Sequence, residues 1–399
     1  MNKFNFINCD RKNDILKRNI IQLCINEEDN SIAEISKQLN CSVPTVTKLI
    51  NELIEDGLLV EKGKQDTNGG RRPIIYGLDQ NAGFFVGVEI RRSHISMAFM
   101  QFNGSMYDYI EDIPFQLENT SDSLQNLCNI VSGQCQAMGI EGEKIIAYGF
   151  NLTGRVNTAS GYSYSFYLGE DHPITDKLQD ILGSPVFIEN DSRAMTYAEY
   201  MSCYSNVRNM LFLNLTWGLG MGMIVNGQLV SGKSGFSGEI GHFPMLDNNQ
   251  ICQCGKIGCL ETAASGFALQ RIMIEKMDAG YPCILSKKHE SGEIISLEDI
   301  IDAIHEEDML AIESLEEVGT VLGRAIAGLI NIFNPEQVVI GGTLSLAKEY
   351  LLIPVKGAIN KYSLNLVNRD TQVSVSKLGK KAGPLGACLL SRSKILNLI

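Results

Sequence analysis

The stretch E-I-G-H-F-P-M-L-D-N-N-Q-I-C-Q-C-G-K-I-G-C-L-E, residues 239–261, concentrates metal-binding side chains in one short segment. It holds one imidazole and three thiols, a donor set that suits tetrahedral zinc: His242, Cys252, Cys254 and Cys259. Three cysteines within eight residues, placed among glycines and after a histidine, argue against the alternative of ordinary buried thiols. Four protein ligands leave no open position for water, so the segment predicts a structural Zn²⁺ site.

Two carboxylates bracket this zinc loop, Glu239 at its start and Glu261 at its end. Neither is needed to complete four ligands around the ion. The sequence therefore predicts two acidic side chains that are held by a rigid loop and remain able to contact a ligand.

Length and composition restrict the class of protein. A chain of 399 residues exceeds one ordinary core and predicts two or three domains. No apolar run reaches membrane-spanning length, and the N-terminus lacks the features of a signal peptide. Eleven cysteines, an odd count and scattered outside the zinc loop, fit a reducing compartment. We therefore expect a cytoplasmic protein without a membrane partner.

The charge is unevenly distributed. The whole chain carries −12, whereas residues 1–80 hold 11 basic and 12 acidic side chains. A strongly acidic surface disfavours coating by nucleic acid, so any anionic partner is best tolerated by the nearly neutral N-terminal segment.

Residues 1–80 show the pattern of three helices followed by a β-hairpin. Ser31 and Glu34 form a capping box, Ser42 caps the third helix with Pro44 in its first turn, and Gly57 ends it. This order is typical of a winged helix-turn-helix. A small protein-interaction domain is the alternative. The residues predicted to contact DNA, on the recognition helix and at the wing, are Ser42, Thr45, Thr47, Lys48, Arg71 and Arg72.

The remainder of the chain reads as one α/β unit repeated. Three strands, a helix, a strand and a further helix follow residue 81, and the same order returns from Met210 onward. The sequence therefore predicts three domains: 1–80, the winged helix; 81–205, a first lobe; and 206–399, a second lobe containing the zinc loop.

With these features together, the chain resembles the ROK family of repressors, open reading frames and kinases. The most specific match is Gly241-His242 followed by C-x-C-G-x-x-G-C-x-E, which spans Cys252 to Glu261. The resemblance covers essentially the whole chain. It implies an α/β fold, in which the winged helix precedes a duplicated actin/hexokinase-like (ribonuclease H-like) two-lobed domain with a structural zinc loop. The winged helix is similar to the branch of xylose, N-acetylglucosamine and glucose-uptake regulators.

The resemblance also implies a sugar site. The family's E-N-D stands at residues 189–191, its G-E-x-G-H at 238–242, and its glycine loop resembles T-G-R-V-N at 153–157. Carboxylates suit vicinal hydroxyl groups, and a histidine that binds zinc through one nitrogen can bind a ligand through the other. The implied sugar-binding residues are Asn190, Asp191, Glu239, His242, Glu261, Gly154 and Arg155.

Two glycine-rich loops that hold ATP phosphates in the family's kinases are altered. D-x-G-G-T is replaced by Glu89-Ile90-Arg91-Arg92-Ser93, and Trp217 stands where the second loop has a phosphate-binding threonine. Long side chains remove the space that a phosphate cradle needs. Asp191 matches the kinase general base, but we predict no catalytic role for it. A solvated hairpin edge in a competent kinase is the alternative.

These observations predict a sugar-responsive transcriptional repressor, a homodimer or homotetramer that binds operator DNA and a sugar or sugar phosphate effector. An ATP-dependent sugar kinase for a hexose or N-acetylhexosamine, with an accessory DNA-binding domain, is the first alternative. A DNA-binding regulator controlled by a phosphotransfer protein is the second.

Overall fold

The computed structural model describes residues 4, 6–7, 11–27, 30–64, 72–167 and 172–398. By the density of internal contacts the chain divides into two compact units. The first is formed by the described residues among Met1–Gly154, Ser160–Glu189 and Ala387–Ile399, and the second by Arg155–Ala159 and Asn190–Gly386. The three domain boundaries expected from the sequence remain a prediction.

The N-terminal part of the first unit has the predicted helices and wing strands. Their bounds are α1 Lys12–Asn26, β1 Asn30–Ser31, α2 Ile32–Gln38, α3 Val43–Glu55, β2 Leu59–Lys64 and β3 Ile74–Leu78. Ser31 and Glu34 form the expected capping box at α2, and Ser42 caps α3. Gly57, with φ +67°, supplies the left-handed residue after α3. The strands pair antiparallel in the order β1-β3-β2.

The rest of the first unit is built on a five-stranded sheet. Its elements are β4 Phe84–Ile90, β5 His94–Gln101, β6 Met106–Pro114, α4 Ser121–Ala137, β7 Ile145–Leu152, β8 Val156–Asn157, β9 Tyr162–Ser163, α5 Ile174–Leu182 and β10 Val186–Asn190. The strand order is β10-β7-β4-β5-β6, with β4, β5 and β6 antiparallel and β7 parallel to β4. Every residue of β7 is buried, as expected for a central strand covered on both faces.

The second unit repeats this topology. Its strands are β11 Met210–Leu215, β12 Leu219–Val225, β13 Gln228–Leu229, β14 Gln337–Gly341 and β15 Gln372–Val375, in the order β13-β12-β11-β14-β15. Again the first three strands are antiparallel and the fourth is parallel to the first. The two five-stranded sheets have the same connectivity, so the predicted duplication is confirmed.

Helices cover the second sheet and supply most of its core. Their bounds are α6 Asp191–Cys203, α7 Gly266–Asp278, α8 Ser286–Glu290, α9 Leu297–His305, α10 Met309–Phe333, α11 Glu349–Tyr362 and α12 Asn365–Asn368. The last helix, α13 Ala382–Ile395, begins in the second unit and from Ala387 onward belongs to the first, where Cys388 Sγ donates to the carbonyl groups of β4 and β5. Helix α10 packs closely on α11, because Gly319 and Gly323 have no side chain to keep Pro354 and Val355 away. A bilayer-spanning helix is absent from the described part of the chain, in which no helix combines the required length with sufficient hydropathy.

Candidate metal and ligand site

The zinc loop folds into two short turns that bring its cysteines back to His242. The turn between Cys252 and Lys256 is closed by hydrogen bonds of 2.8 Å, and isolated bridges pair Pro244 with Cys259 and Ile251 with Ile257. Gly255 and Gly258 have φ of +81° and +82°, which side-chain-bearing residues rarely adopt. The glycines between the cysteines therefore allow the loop to turn tightly enough to bring the thiols together.

The four predicted ligand side chains converge. The ligand atoms of His242, Cys252, Cys254 and Cys259 lie within 4.8 Å of one another. Cys254 Sγ is 3.6 Å from Cys259 Sγ, and Cys252 Sγ is 3.5 Å from His242 Nδ1. A tetrahedron with Zn–S bonds of ~2.3 Å has S–S edges of about 3.8 Å, so these separations fit a zinc ion at the centre.

The pKa values of the three thiols indicate that a cation is needed to hold them as thiolates. Burial raises the pKa of Cys252 to about 12 and raises that of Cys259. Burial opposes ionisation of Cys254 too, but hydrogen bonds from the Lys256 main chain and from the two other thiols lower its pKa. At neutral pH the cluster needs a positive charge to become a set of thiolates, and a metal ion provides one.

Glu261 is held by the loop that joins β11 to β12. Its Oε2 accepts a hydrogen bond from the Leu219 main-chain N–H at 3.0 Å, while its Oε1 lies 3.7 Å from Cys252 Sγ. A Cβ atom on Gly218 would lie 2.6 Å from Oε2, so this glycine is what allows the carboxylate to approach. Glu261 thus connects the metal cluster to the glycine-containing hairpin.

His242 and Glu239 present adjacent polar atoms. His242 Nε2 lies 3.8 Å from Glu239 Oε2, on the opposite side of the imidazole from the nitrogen that faces Cys252. Arg155 Nε lies 4.0 Å from the same carboxylate oxygen, and both side chains are substantially exposed. The three charged or polar groups are therefore close enough to contact one small ligand.

Asn190 and Asp191 lie at the start of α6. Asn190 caps the helix by accepting the Arg193 N–H at 3.1 Å, and its amide donates to Asp191 Oδ1 at 2.9 Å. Asp191 Oδ1 also accepts the Ser192 N–H at 2.7 Å. These bonds fix the orientation of the carboxylate. All the predicted sugar-binding residues belong to the second unit except Gly154, which belongs to the first.

Arg193 is a buried cation that sequence reasoning missed. Its side chain is only 1% exposed, and Nη2 donates to the Val156 carbonyl at 3.3 Å. Gly235, with φ +81°, leaves room for the same carbonyl group. Arg193 thus ties the 155–159 segment, which carries Arg155, to α6. The only sequence signal was an arginine two residues after the E-N-D motif.

The first altered loop connects β4 to β5, where Arg91 Nη2 lies 3.2 Å from Glu89 Oε2. Glu89 is 3% exposed, and its negative charge raises the pKa of Arg91. The arginine therefore neutralises a buried carboxylate within the chain.

In the second altered loop, Trp217 packs on Phe267 with ring centroids 5.6 Å apart. Gly220 and Gly222 leave space for the side chains of Ser192 and Thr196 on α6. Both glycines therefore have a packing role within the second unit.

Four of the predicted DNA-contacting residues lie on or beside α3, namely Ser42, Thr45, Thr47 and Lys48, whereas Arg71 lies outside the described residues. Ser42 and Lys48 are exposed, whereas Thr45 and Thr47 are half-buried. The Ser42 and Thr45 hydroxyls bond to each other at 2.8 Å, and Lys48 Nζ lies 3.8 Å from Glu52 Oε1. Arg72 stands two residues before β3.

Comparison with known proteins identifies the class. A model described as "ROK family" matches residues 85–394, and one described as "Winged helix-turn-helix DNA-binding" matches residues 13–60. The first covers more than half of the chain. The protein therefore belongs to the ROK family.

Individual relatives include regulators and kinases. A putative xylose repressor of Caldicellulosiruptor sp. (strain Rt8B.4) is 28% identical over 94% of this chain and 95% of its own. The crystal structure of a ROK family transcriptional regulator, a homologue of the Escherichia coli MLC protein, matches with a TM-score of 0.81 and 27% identity over 96% of this chain and 98% of its own. A ROK family glucokinase from Streptomyces griseus, solved with glucose and AMPPNP, matches with a TM-score of 0.68 and 26% identity over 77% of this chain and 99% of its own.

Proposed function

We propose that this chain is a sugar-responsive transcriptional repressor. The observation that carries the proposal is the joining of a winged helix to a ROK body in one chain. The glucokinase aligns over nearly its whole length yet covers only 77% of this chain, whereas the ROK regulator covers 96%. The additional N-terminal part is the part that the DNA-binding model matches.

Operator DNA is the proposed macromolecular partner. Residues 1–80 would form the DNA-binding domain, with the exposed start of α3 in a major groove and the wing beside it. The proposed contacts come from the side chains named above: Ser42, Thr45, Thr47, Lys48, Arg71 and Arg72. Two half-sites require at least a homodimer, and a homotetramer would serve equally.

The proposed effector is a sugar or sugar phosphate bound beside the zinc loop. Glu239, Glu261 and Asp191 supply carboxylates for paired hydroxyl groups, and His242 Nε2 supplies a further hydrogen-bonding atom. Asn190, Arg155 and Gly154 complete the proposed set. The closeness of Arg155, Glu239 and His242 supports this assignment.

A structural Zn²⁺ ion is the proposed cofactor. His242, Cys252, Cys254 and Cys259 would hold it, and it would fix the loop that carries Glu239 and Glu261. With Nδ1 facing the thiols, Nε2 of His242 remains on the ligand side. The ion would supply rigidity and charge balance, and no chemical step is assigned to it.

We infer that phosphoryl transfer has been lost in this cytoplasmic protein. The ion pair between Glu89 and Arg91 and the packing of Trp217 on Phe267 support this view, since both occupy loops that hold phosphates in kinases. The second candidate function, a sugar kinase, is favoured by the retained Asp191 and by the likeness to a glucokinase.

Sugar binding would lower DNA affinity by favouring a conformation in which two winged helices no longer match their half-sites. A 100-fold change in affinity requires about 2.7 kcal/mol of differential binding between the two states. Hydrogen bonds to several hydroxyl groups of the sugar are sufficient to supply this free energy.

One experiment tests both candidates. Duplexes selected by the purified protein from a random DNA library are titrated by fluorescence anisotropy, with and without members of a panel of sugars and sugar phosphates. A repressor releases DNA with one of them and shows no ADP production. Turnover above about 1 s⁻¹ with ATP would instead establish the kinase.

A further inference from the structure

The first two turns of α3 expose an apolar surface. Val43, the first residue of the helix, is 53% exposed, and Pro44 beside it is exposed as well. Both line one open groove on α3, which continues along the helix past the other lining residues: Thr47, Lys48, Asn51, Glu52 and Glu55. Val43 has no capping role, because a hydrophobic staple at this helix would use Cys41 and Val46.

The polar atoms around Val43 are already engaged within the helix. The Ser42 and Thr45 hydroxyls bond to each other at 2.8 Å, and Thr47 Oγ1 donates to the Val43 carbonyl at 2.9 Å. Pro44 has no N–H to donate. The valine methyl groups are therefore exposed at the tip of the recognition helix, beside hydroxyl groups that already have partners.

Charge determines which end of α3 can enter the major groove of DNA, which is lined with phosphates. Glu52, Glu55 and Asp56 lie at the C-terminal end, with Lys17 within 4 Å of two of them. The N-terminal end carries the positive end of the helix dipole and Lys48 in the following turn. The N-terminal end is thus the one that phosphates attract, and Val43 is the first helical residue at that end.

We propose that Val43 recognises the C5-methyl group of a thymine in each half-site of the operator. Among base edges in the major groove, only thymine presents a methyl group. This inference rests on the proposed DNA-binding function and adds a base preference to it. Thr47, whose hydroxyl is engaged, would flank the same contact with its own methyl group.

Uracil substitution tests the contact directly. A duplex selected by the full-length protein from a random library is resynthesised with each thymine replaced in turn by deoxyuridine, which lacks only the methyl group. Anisotropy titrations at one fixed salt concentration then give the dissociation constants. The wild type should lose about fourfold in affinity at one position per half-site, the value expected for one buried methyl group.

Variants assign that sensitivity to the side chain. Val43→Ser should bind the thymine duplex more weakly and lose no further affinity when uracil replaces thymine at that position. Val43→Thr, which keeps one methyl group, should restore part of the sensitivity. Ile294→Ser removes another exposed apolar side chain, 84% exposed and in the second unit, and should behave as the wild type.

Two outcomes overturn the inference while leaving the proposed function intact. In the first, the wild type binds the selected DNA but is insensitive to uracil at every position. In the second, Val43→Ser keeps the uracil sensitivity of the wild type. Failure to select any duplex would overturn the proposed function together with this inference.

Discussion

The Glu261 carboxylate accepts a hydrogen bond from the Leu219 main-chain N–H at 3.0 Å, across 42 residues of sequence. The last acidic residue of the zinc loop is thereby fixed by the hairpin that, in the family's kinases, holds phosphate. In this chain the hairpin positions a carboxylate of the proposed sugar site.

Glu261→Gln should weaken the sugar response while leaving zinc and DNA binding unchanged. The new amide oxygen can still accept the hydrogen bond from the Leu219 N–H. The bonds from sugar hydroxyl groups to a charged carboxylate, which contribute about 1.5–3 kcal/mol each, would be replaced by weaker bonds to a neutral amide. A thermal-shift titration measures the change, since a ligand at 100 times its Kd stabilises the fold by about 2.7 kcal/mol. Glu275→Gln, an exposed carboxylate paired with Arg271, is the control. An unaltered titration would remove Glu261 from the site.

Gly218→Ala should have a similar effect with little loss of stability. The added methyl group would lie 2.6 Å from Glu261 Oε2 and would push the flexible end of that side chain away. Sugar affinity should therefore fall while the melting temperature without sugar changes little. Gly133→Ala, where nothing lies within 4 Å of the new atom, should leave sugar affinity alone. Equal sugar affinities for the two variants would contradict the assigned role of Gly218.

Cys254→Ser should reduce bound zinc from about one ion per chain to nearly none, because three ligands hold structural zinc poorly. Metal analysis after dialysis gives the stoichiometry. Cys283→Ser, a half-buried cysteine outside the cluster, should retain the ion. Zinc affinity of the wild type should fall as the pH is lowered, since protons compete for the thiolates. Retention of zinc by Cys254→Ser would show that a different ligand set is used.

Ser31→Ala should destabilise the winged helix by about 1 kcal/mol, because the Ser31 hydroxyl that accepts the Glu34 N–H and donates to the Glu34 carboxylate is lost. The capping box of α2 also lowers the pKa of Glu34, first through the Ser31 main-chain N–H and then through its hydroxyl. A carboxylate with a lowered folded pKa stabilises fully above its unfolded pKa and loses this effect as the pH falls through the folded value.

Thermal unfolding and DNA binding near the melting temperature measure this effect. The difference in stability between the wild type and Ser31→Ala should become smaller as the pH is lowered. Ser296→Ala removes an equivalent box from α9 in the second unit and should leave DNA affinity unchanged. A pH-independent difference between the wild type and Ser31→Ala would argue against the Glu34 contribution.

The sequence by itself determined the features that depend on short spacing. Ser31 and Glu34 are three residues apart, and His242 to Cys259 span one loop, so residue type and interval were enough to predict the cap and the ligand cluster. Alternating apolar residues and turn signals likewise predicted the strands of both repeats.

Only the tertiary structure decided the long-range contacts. It placed Leu219 on Glu261 and Arg193 on the Val156 carbonyl, and it gave Gly220 and Gly222 their packing role against α6. The two hydrogen bonds join residues 42 and 37 positions apart. Such pairs have no local periodicity, because they arise when whole sheets and helices pack together and each buried polar group must find a partner.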